Sequence, residues 1–170
     1  INRDAIALIV GVEKYENLPA APAIHADKDA EYFADFAHYK LGIPRNNIIT
    51  AINSDAKRLD ILKAITKVTK LSTKDKTEVF IFFAGHGLAA TDGQDVFLLP
   101  YDGDKDYLDA TAMTRDEIFA IAPTCAFSAP RICIHKHGSA DPSTSGSATT
   151  DALSPISRSS RRGAPPPRVP

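Results

Sequence analysis

The stretch Glu78 to Leu88, EVFIFFAGHGL, constrains this chain more than any other. Val79 to Phe83 are all β-branched or aromatic, bounded by polar residues before and a glycine soon after. A run that short does not suit a buried helix and predicts a strand covered on both faces, as in parallel sheets. It ends in Gly85-His86-Gly87, which places His86 at the C-terminal lip of the strand. In an open α/β sheet that edge is where ligands and chemistry collect. An imidazole there titrates near neutral pH and can carry protons; the other reading is a left-handed turn that His86 merely caps. The flanking glycines leave the backbone room for a substrate to approach the Gly87 N–H.

The rest of the chain repeats the same theme. Ala5 to Gly11, AIALIVG, is a second buried strand by the same reasoning, and two such strands imply a parallel sheet. The following EKYENLPAAPAIH carries two prolines and is a loop long enough to shape a pocket rim. From Asp27, helical spacing of Ala30, Phe33, Ala34, Ala37 and Leu41 predicts a helix stopped by Gly42 and Pro44. Asn47 to Ile52 reads as a third strand. Asn53 to Asp55 offer caps for a second helix, with Leu59, Leu62, Ile65 and Thr66 on the core side and Lys57, Lys63, Lys67 and Lys70 in water. After the histidine come the short strand VFLLP and an acidic Tyr101 to Asp106. That segment is either a solvated turn or part of the His86 edge, should VFLLP run beside the central strand. Thr114-Arg115-Asp116-Glu117 is a capping box for a short helix through Ile121. Strands alternating with helices predict a three-layer α/β domain, a mostly parallel sheet flanked by helices, over residues 1 to 135.

Composition narrows the function. At 170 residues there is chain for one domain with a sizeable core, and a net charge of -1 gives no reason to expect nucleic acid or an anionic membrane as partner. No apolar run reaches 18 residues. The opening INRDAIALIVGV has neither a start methionine nor a signal peptide, so the chain is expected to be a piece of a longer product; localisation stays open, with the cytoplasm favoured. Cys125 and Cys133 make no disulfide framework. Residues 136 to 170 turn to Ser, Thr, Pro, Gly and Arg, which predicts a disordered tail, its Pro165 to Pro167 a spacer more than an SH3-type ligand. Phosphate-binding glycine motifs are absent. His135, His137 and Asp141 lack a fourth ligand at convincing spacing, so no metal or other cofactor is expected.

A nucleophilic mechanism remains, in which a histidine at a strand end takes a proton from a thiol on the next strand. Here a resemblance enters. The first strand and its glycine, the Leu18-Pro19 loop, Asp27 to Glu31, Phe83-Ala84-Gly85-His86-Gly87, Leu98 to Asp102 and the Thr114 to Ile118 helix together resemble a caspase-like cysteine peptidase, closest to bacterial and metacaspase-type members. The resemblance spans about residues 4 to 122 and implies a caspase-hemoglobinase fold. It implies His86 as general base and acid of a Cys-His dyad, the Gly87 amide in the oxyanion hole, and a peptide or protein as substrate. It also offers Asp27 and Asp102 as acidic contacts for a basic P1 residue, since Ala23 stands where an Asp-cutting caspase would carry an S1 arginine.

The departure is at the nucleophile. The family places it after a hydrophobic strand in a D-x-C-x-x-G element, roughly 45 to 60 residues past the histidine. Cys133 lies 47 residues past His86, without the aspartate or the glycine. Asp141 to Gly146 has the element's outline with Ser143 in place of cysteine, and Cys125 fits worse than either. Three readings stand: Cys133 as nucleophile in an altered context, a pseudo-peptidase that acts as an interaction module, or a foreign or frame-shifted segment after about Pro123. The last two are favoured jointly over the first.

Overall fold

In a computed structural model of the chain, which describes residues 1–73, 76–89, 96–119 and 131–136, four parallel strands lie side by side. Their order is β2 (Ile48–Ile52), β1 (Ala5–Gly11), β3 (Glu78–Gly85) and β7 (Arg131–Lys136). Every residue of β1 is buried, and so is β3 from Val79 onward, which is why both read as unbroken apolar runs.

Alternation along these strands sorts side chains onto two faces. On one lies α1 (Ala26–Tyr39), whose inward stripe is Ala26, Ala30, Ala34 and Ala37. Those small residues bring the helix close: a Cβ added to Gly11 would stand 2.5 Å from that of Ala30 and 2.8 Å from the Ala26 carbonyl oxygen. Phe33 of the same helix stacks on Phe82 at 4.3 Å between centroids. On the opposite face Leu8, Val10, Ile81 and Phe83 meet Ile61 and Ile65 of α2 (Arg58–Leu71) and Ile118 of α4 (Arg115–Phe119). The result is helix, sheet, helix, the three-layer α/β class expected.

Past His86 the chain enters a second, antiparallel sheet in the order β4 (Gly87–Ala89), β5 (Val96–Leu98), β6 (Met113–Thr114). The VFLLP strand therefore pairs with the residues that follow the histidine and not with the central strand itself. A one-turn helix, α3 (Leu108–Thr111), leads into β6, and the capping box then forms as read. The Thr114 N–H donates to Glu117 Oε2 at 2.8 Å, and the Glu117 N–H donates back to Thr114 Oγ1 at 3.2 Å.

Three local expectations are corrected. The buried stripe of α2 is Ile61, Ile65 and Val68, whereas Leu59 is 61% exposed and Thr66 faces solvent. Both stripes have helical spacing; on the buried side Arg58 also donates to the Ala112 carbonyl and pairs with Glu117, which adds to the burial of Ile61, Ile65 and Val68. Asn53 to Asp55 form a short 3₁₀ turn and do not cap α2; Asp102, from a distant loop, accepts the Arg58 N–H at 2.8 Å instead. Residues 45–47 are likewise a 3₁₀ turn, so β2 starts at Ile48. The tail from residue 137, with His137, Asp141 and Ser143, lies outside the described residues, as does Cys125.

Candidate active site

β1 and β3 end level with each other, with Gly11 paired to Ala84 and the Val12 N–H on the Ala84 carbonyl at 2.9 Å. The loop that leaves β1 therefore rises at the edge where β3 delivers His86. Tyr15 turns back from that loop into the core, only 4% exposed. Its hydroxyl accepts the His86 backbone N–H at 2.7 Å, and its ring stacks on the imidazole with centroids 4.9 Å apart at 25°. Burial pushes the Tyr15 phenol well above its ordinary value, outweighing the opposing effect of the hydrogen bond from His86. Gly85 is required on two counts: its φ of 156° is one that other residues rarely adopt, and a Cβ there would stand 2.8 Å from the Tyr15 hydroxyl oxygen. Among the described residues only His25 and Asn53 are non-glycine residues with positive φ, so the left-handed cap is not the conformation of His86.

The imidazole is 7% exposed, and its Nε2 lies 2.8 Å from the Ala21 carbonyl oxygen. A carbonyl can only accept, so Nε2 carries the hydrogen. In the neutral ring this makes Nδ1 the basic nitrogen. On the next residue, the Leu99 N–H donates to the His86 carbonyl at 3.0 Å. Antiparallel pairs alternate between bonded and non-bonded, so Gly87, paired with Leu98, turns its N–H away from β5.

Acidic groups gather at the same end of the sheet. The Asn53 Oδ1 accepts the N–H groups of Glu13 and Lys14 at 2.9 and 3.2 Å, while its Nδ2 reaches Asp27 Oδ2 at 3.4 Å. Burial raises Asp27, but hydrogen bonds with Glu13, the Lys28 amide and Asn53 outweigh it and hold the carboxyl below the usual carboxylate range. Asp102 is drawn into other work: besides capping α2, its carbonyl accepts from Asn17 Nδ2 at 3.1 Å. Ala23 is fully buried and leaves no place at its position for a basic S1 group. Among the described residues no three His, Cys, Asp or Glu side chains gather as metal ligands would.

Cys133 is placed by register. β7 runs parallel to β3 with Cys133 opposite Phe82 and Lys136 opposite Gly85. The strand thus continues for three residues beyond the cysteine, which the sequence had placed at the end of its apolar run. His86 lies past Gly85, so four residues of strand separate the level of Cys133 from that of the histidine, about 13 Å at the usual rise. Tyr15 and the Ala21 carbonyl meet His86, while the register sets the backbone of Cys133 four residues below its level.

A family model for the caspase domain matches residues 4–121. The chain belongs to the caspase domain family. Among solved structures, the crystal structure of protein GSU0716 from Geobacter sulfurreducens, a structural-genomics target, is similar with a TM-score of 0.55 and 22% identity. The alignment covers 77% of this chain and 48% of that one, so the chain spans about half the length of the relative and shares its fold. No curated protein matches.

Within this caspase domain, Tyr15, Ala21 and Asn53 are site residues that the sequence reading missed. Tyr15 and Ala21 lie in the loop recognised as a pocket rim. An aromatic among that loop's polar residues was the available signal for Tyr15, whereas a backbone carbonyl such as that of Ala21 leaves none.

Proposed function

We propose that this caspase domain carries the general-base half of a cysteine endopeptidase site and that the chain in this form does not hydrolyse peptides. His86 Nδ1 is the atom that takes a proton from a thiol and returns it to the leaving amine. The Gly87 N–H faces the position of the oxyanion. The observation that supports inactivity is the register of Phe82 with Cys133, since a thiol about 13 Å down the strand cannot share a proton with His86.

The acidic rim supports a preference for a basic residue at P1, as in metacaspase-type members. Asp27, beside Glu13, is the stronger candidate, because Asp102 already caps a helix. The test has two parts. Fluorogenic peptides with Arg, Lys or Asp at P1 are expected to turn over no faster than with the His86→Ala variant. Fluorescence polarisation is expected to show tighter binding of Arg than of Asp peptides, a difference lost in Asp27→Asn. Turnover that disappears in both His86→Ala and Cys133→Ala would refute inactivity, and equal binding of Asp peptides would refute the basic preference.

One observation favours a second reading, a non-catalytic interaction module. The outer face of α1 presents Tyr32 and Tyr39, 73% and 72% exposed, with Phe36 between them. Exposed aromatics at helical spacing are typical of docking surfaces. Under that reading partner binding is unaffected by His86→Ala.

A further inference from the structure

We infer that Tyr15 is a positioning residue for His86, fixing both the height of the histidine at the sheet edge and the tautomer of its ring. This rests on the reading of His86 as a base. Four features of different kinds converge on it. The Tyr15 hydroxyl accepts the His86 N–H at 2.7 Å, in the place where the second bond of a His86 and Leu99 pair would otherwise form. The phenol ring stacks on the imidazole at 4.9 Å. The strand has a glycine, Gly85, where any side chain would collide with the Tyr15 oxygen. Finally, the side chain is 4% exposed although its hydroxyl is polar, so this one hydrogen bond compensates part of its desolvation.

The consequence is geometric. Because the ring is sandwiched on one side by Tyr15, rotation about the His86 side chain is restricted, and the Nε2–H stays on the Ala21 carbonyl. Tyr15 and Ala21 belong to one loop, itself tied down by the Glu16 N–H on the Tyr101 carbonyl at 2.9 Å and the Ala23 N–H on the Glu13 carbonyl at 2.8 Å. The loop therefore holds the imidazole from two directions, by its face and by one nitrogen. Tyr15 itself meets no reacting atom and acts only through the histidine.

The experiment is nitrogen-detected NMR of the His86 ring in the full chain, assigned by its loss in His86→Ala. In its neutral form the native ring is expected as a single tautomer, protonated at Nε2. In Tyr15→Phe, which keeps the stack, that tautomer is expected to remain the major one with altered exchange at the His86 amide. In Tyr15→Leu both ring nitrogens are expected at averaged shifts, as the two neutral tautomers exchange. Thermal unfolding of each variant separates this from loss of fold, and if Tyr15→Leu fails to fold, Tyr15→Phe with an unchanged His86 amide and tautomer overturns the inference. A folded Tyr15→Leu with a native ring spectrum overturns it as well. These readouts need no turnover, so failure of the endopeptidase reading and failure of this one are distinguishable.

Discussion

The two strands that meet at the edge of the candidate site are built to different standards. β3 ends in a histidine held at its backbone by Tyr15, at its ring face by the same residue and at Nε2 by Ala21, with a glycine before it that both its positive φ and that packing call for. β7 runs beside it in perfect parallel register yet carries its only cysteine four residues below the histidine's level. Parallel pairing fixes height along the strand, and height decides whether two side chains can exchange a proton. A dyad needs the two side chains at one level, and the proposed inactivity rests on this difference in height.

The contrast can be broken most forcefully at the well-built end. Gly11→Ala places a methyl group against Ala30 and the Ala26 carbonyl, a backbone atom that cannot step aside. A loss of about 2–3 kcal/mol is expected from overpacking, read by urea unfolding. Gly85→Ala meets the Tyr15 hydroxyl and the Phe83 ring, and is expected to cost about 1–2 kcal/mol while also disturbing the His86 ring signals. Gly11→Ala leaves those signals in place wherever the protein stays folded. If both glycine variants behave alike toward His86, the special status of the Gly85 contact is lost.

Asp102→Ala sharpens the comparison between the two acidic candidates. It removes the cap of α2 and is expected to lower stability by about 1 kcal/mol without changing the preference among P1 peptides, whereas Asp27→Asn changes the preference and hardly moves stability.

The smallest effect is in alkaline solution. Tyr15 has its folded value raised above the ordinary 10, so the neutral phenol favours folding. Its contribution is complete below pH 10 and is lost as pH rises from there toward the raised folded value. Unfolding midpoints measured between pH 9 and 11 are expected to fall more steeply for the native chain than for Tyr15→Phe. Parallel slopes would mean that the phenol is not buried as described.

Much of this architecture is legible from residues alone, and the reasons are local. Continuous apolar runs announce β1 and β3 because a strand buried on both faces needs no polar alternation, and the capping box at Thr114 is a self-contained pattern. The facing of α2 is not legible, because Leu59, Leu62 and Thr66 compete with Ile61, Ile65 and Val68 at the same period, and a partner over fifty residues away, Glu117, helps to choose. Asp102 illustrates the same limit: nothing in its acidic turn announces that the fold brings its carboxylate to the Arg58 N–H. At the site, the position of His86 follows from its strand, while the register of Cys133 depends on a pairing between residues 51 apart in the chain, 133 − 82. Tyr15 could not have been assigned to His86 without the loop's path.

The central claim, that the base is in place and the thiol is not, is tested most directly by alkylation of Cys133 in a Cys125→Ser background, followed from pH 5 to 10 with and without His86→Ala. The rate profile is expected to be the same for both proteins within about twofold across that range. A profile already high at pH 6 to 7 that drops tenfold or more when the imidazole is removed would show a functioning thiolate-imidazolium pair and contradict the register described here.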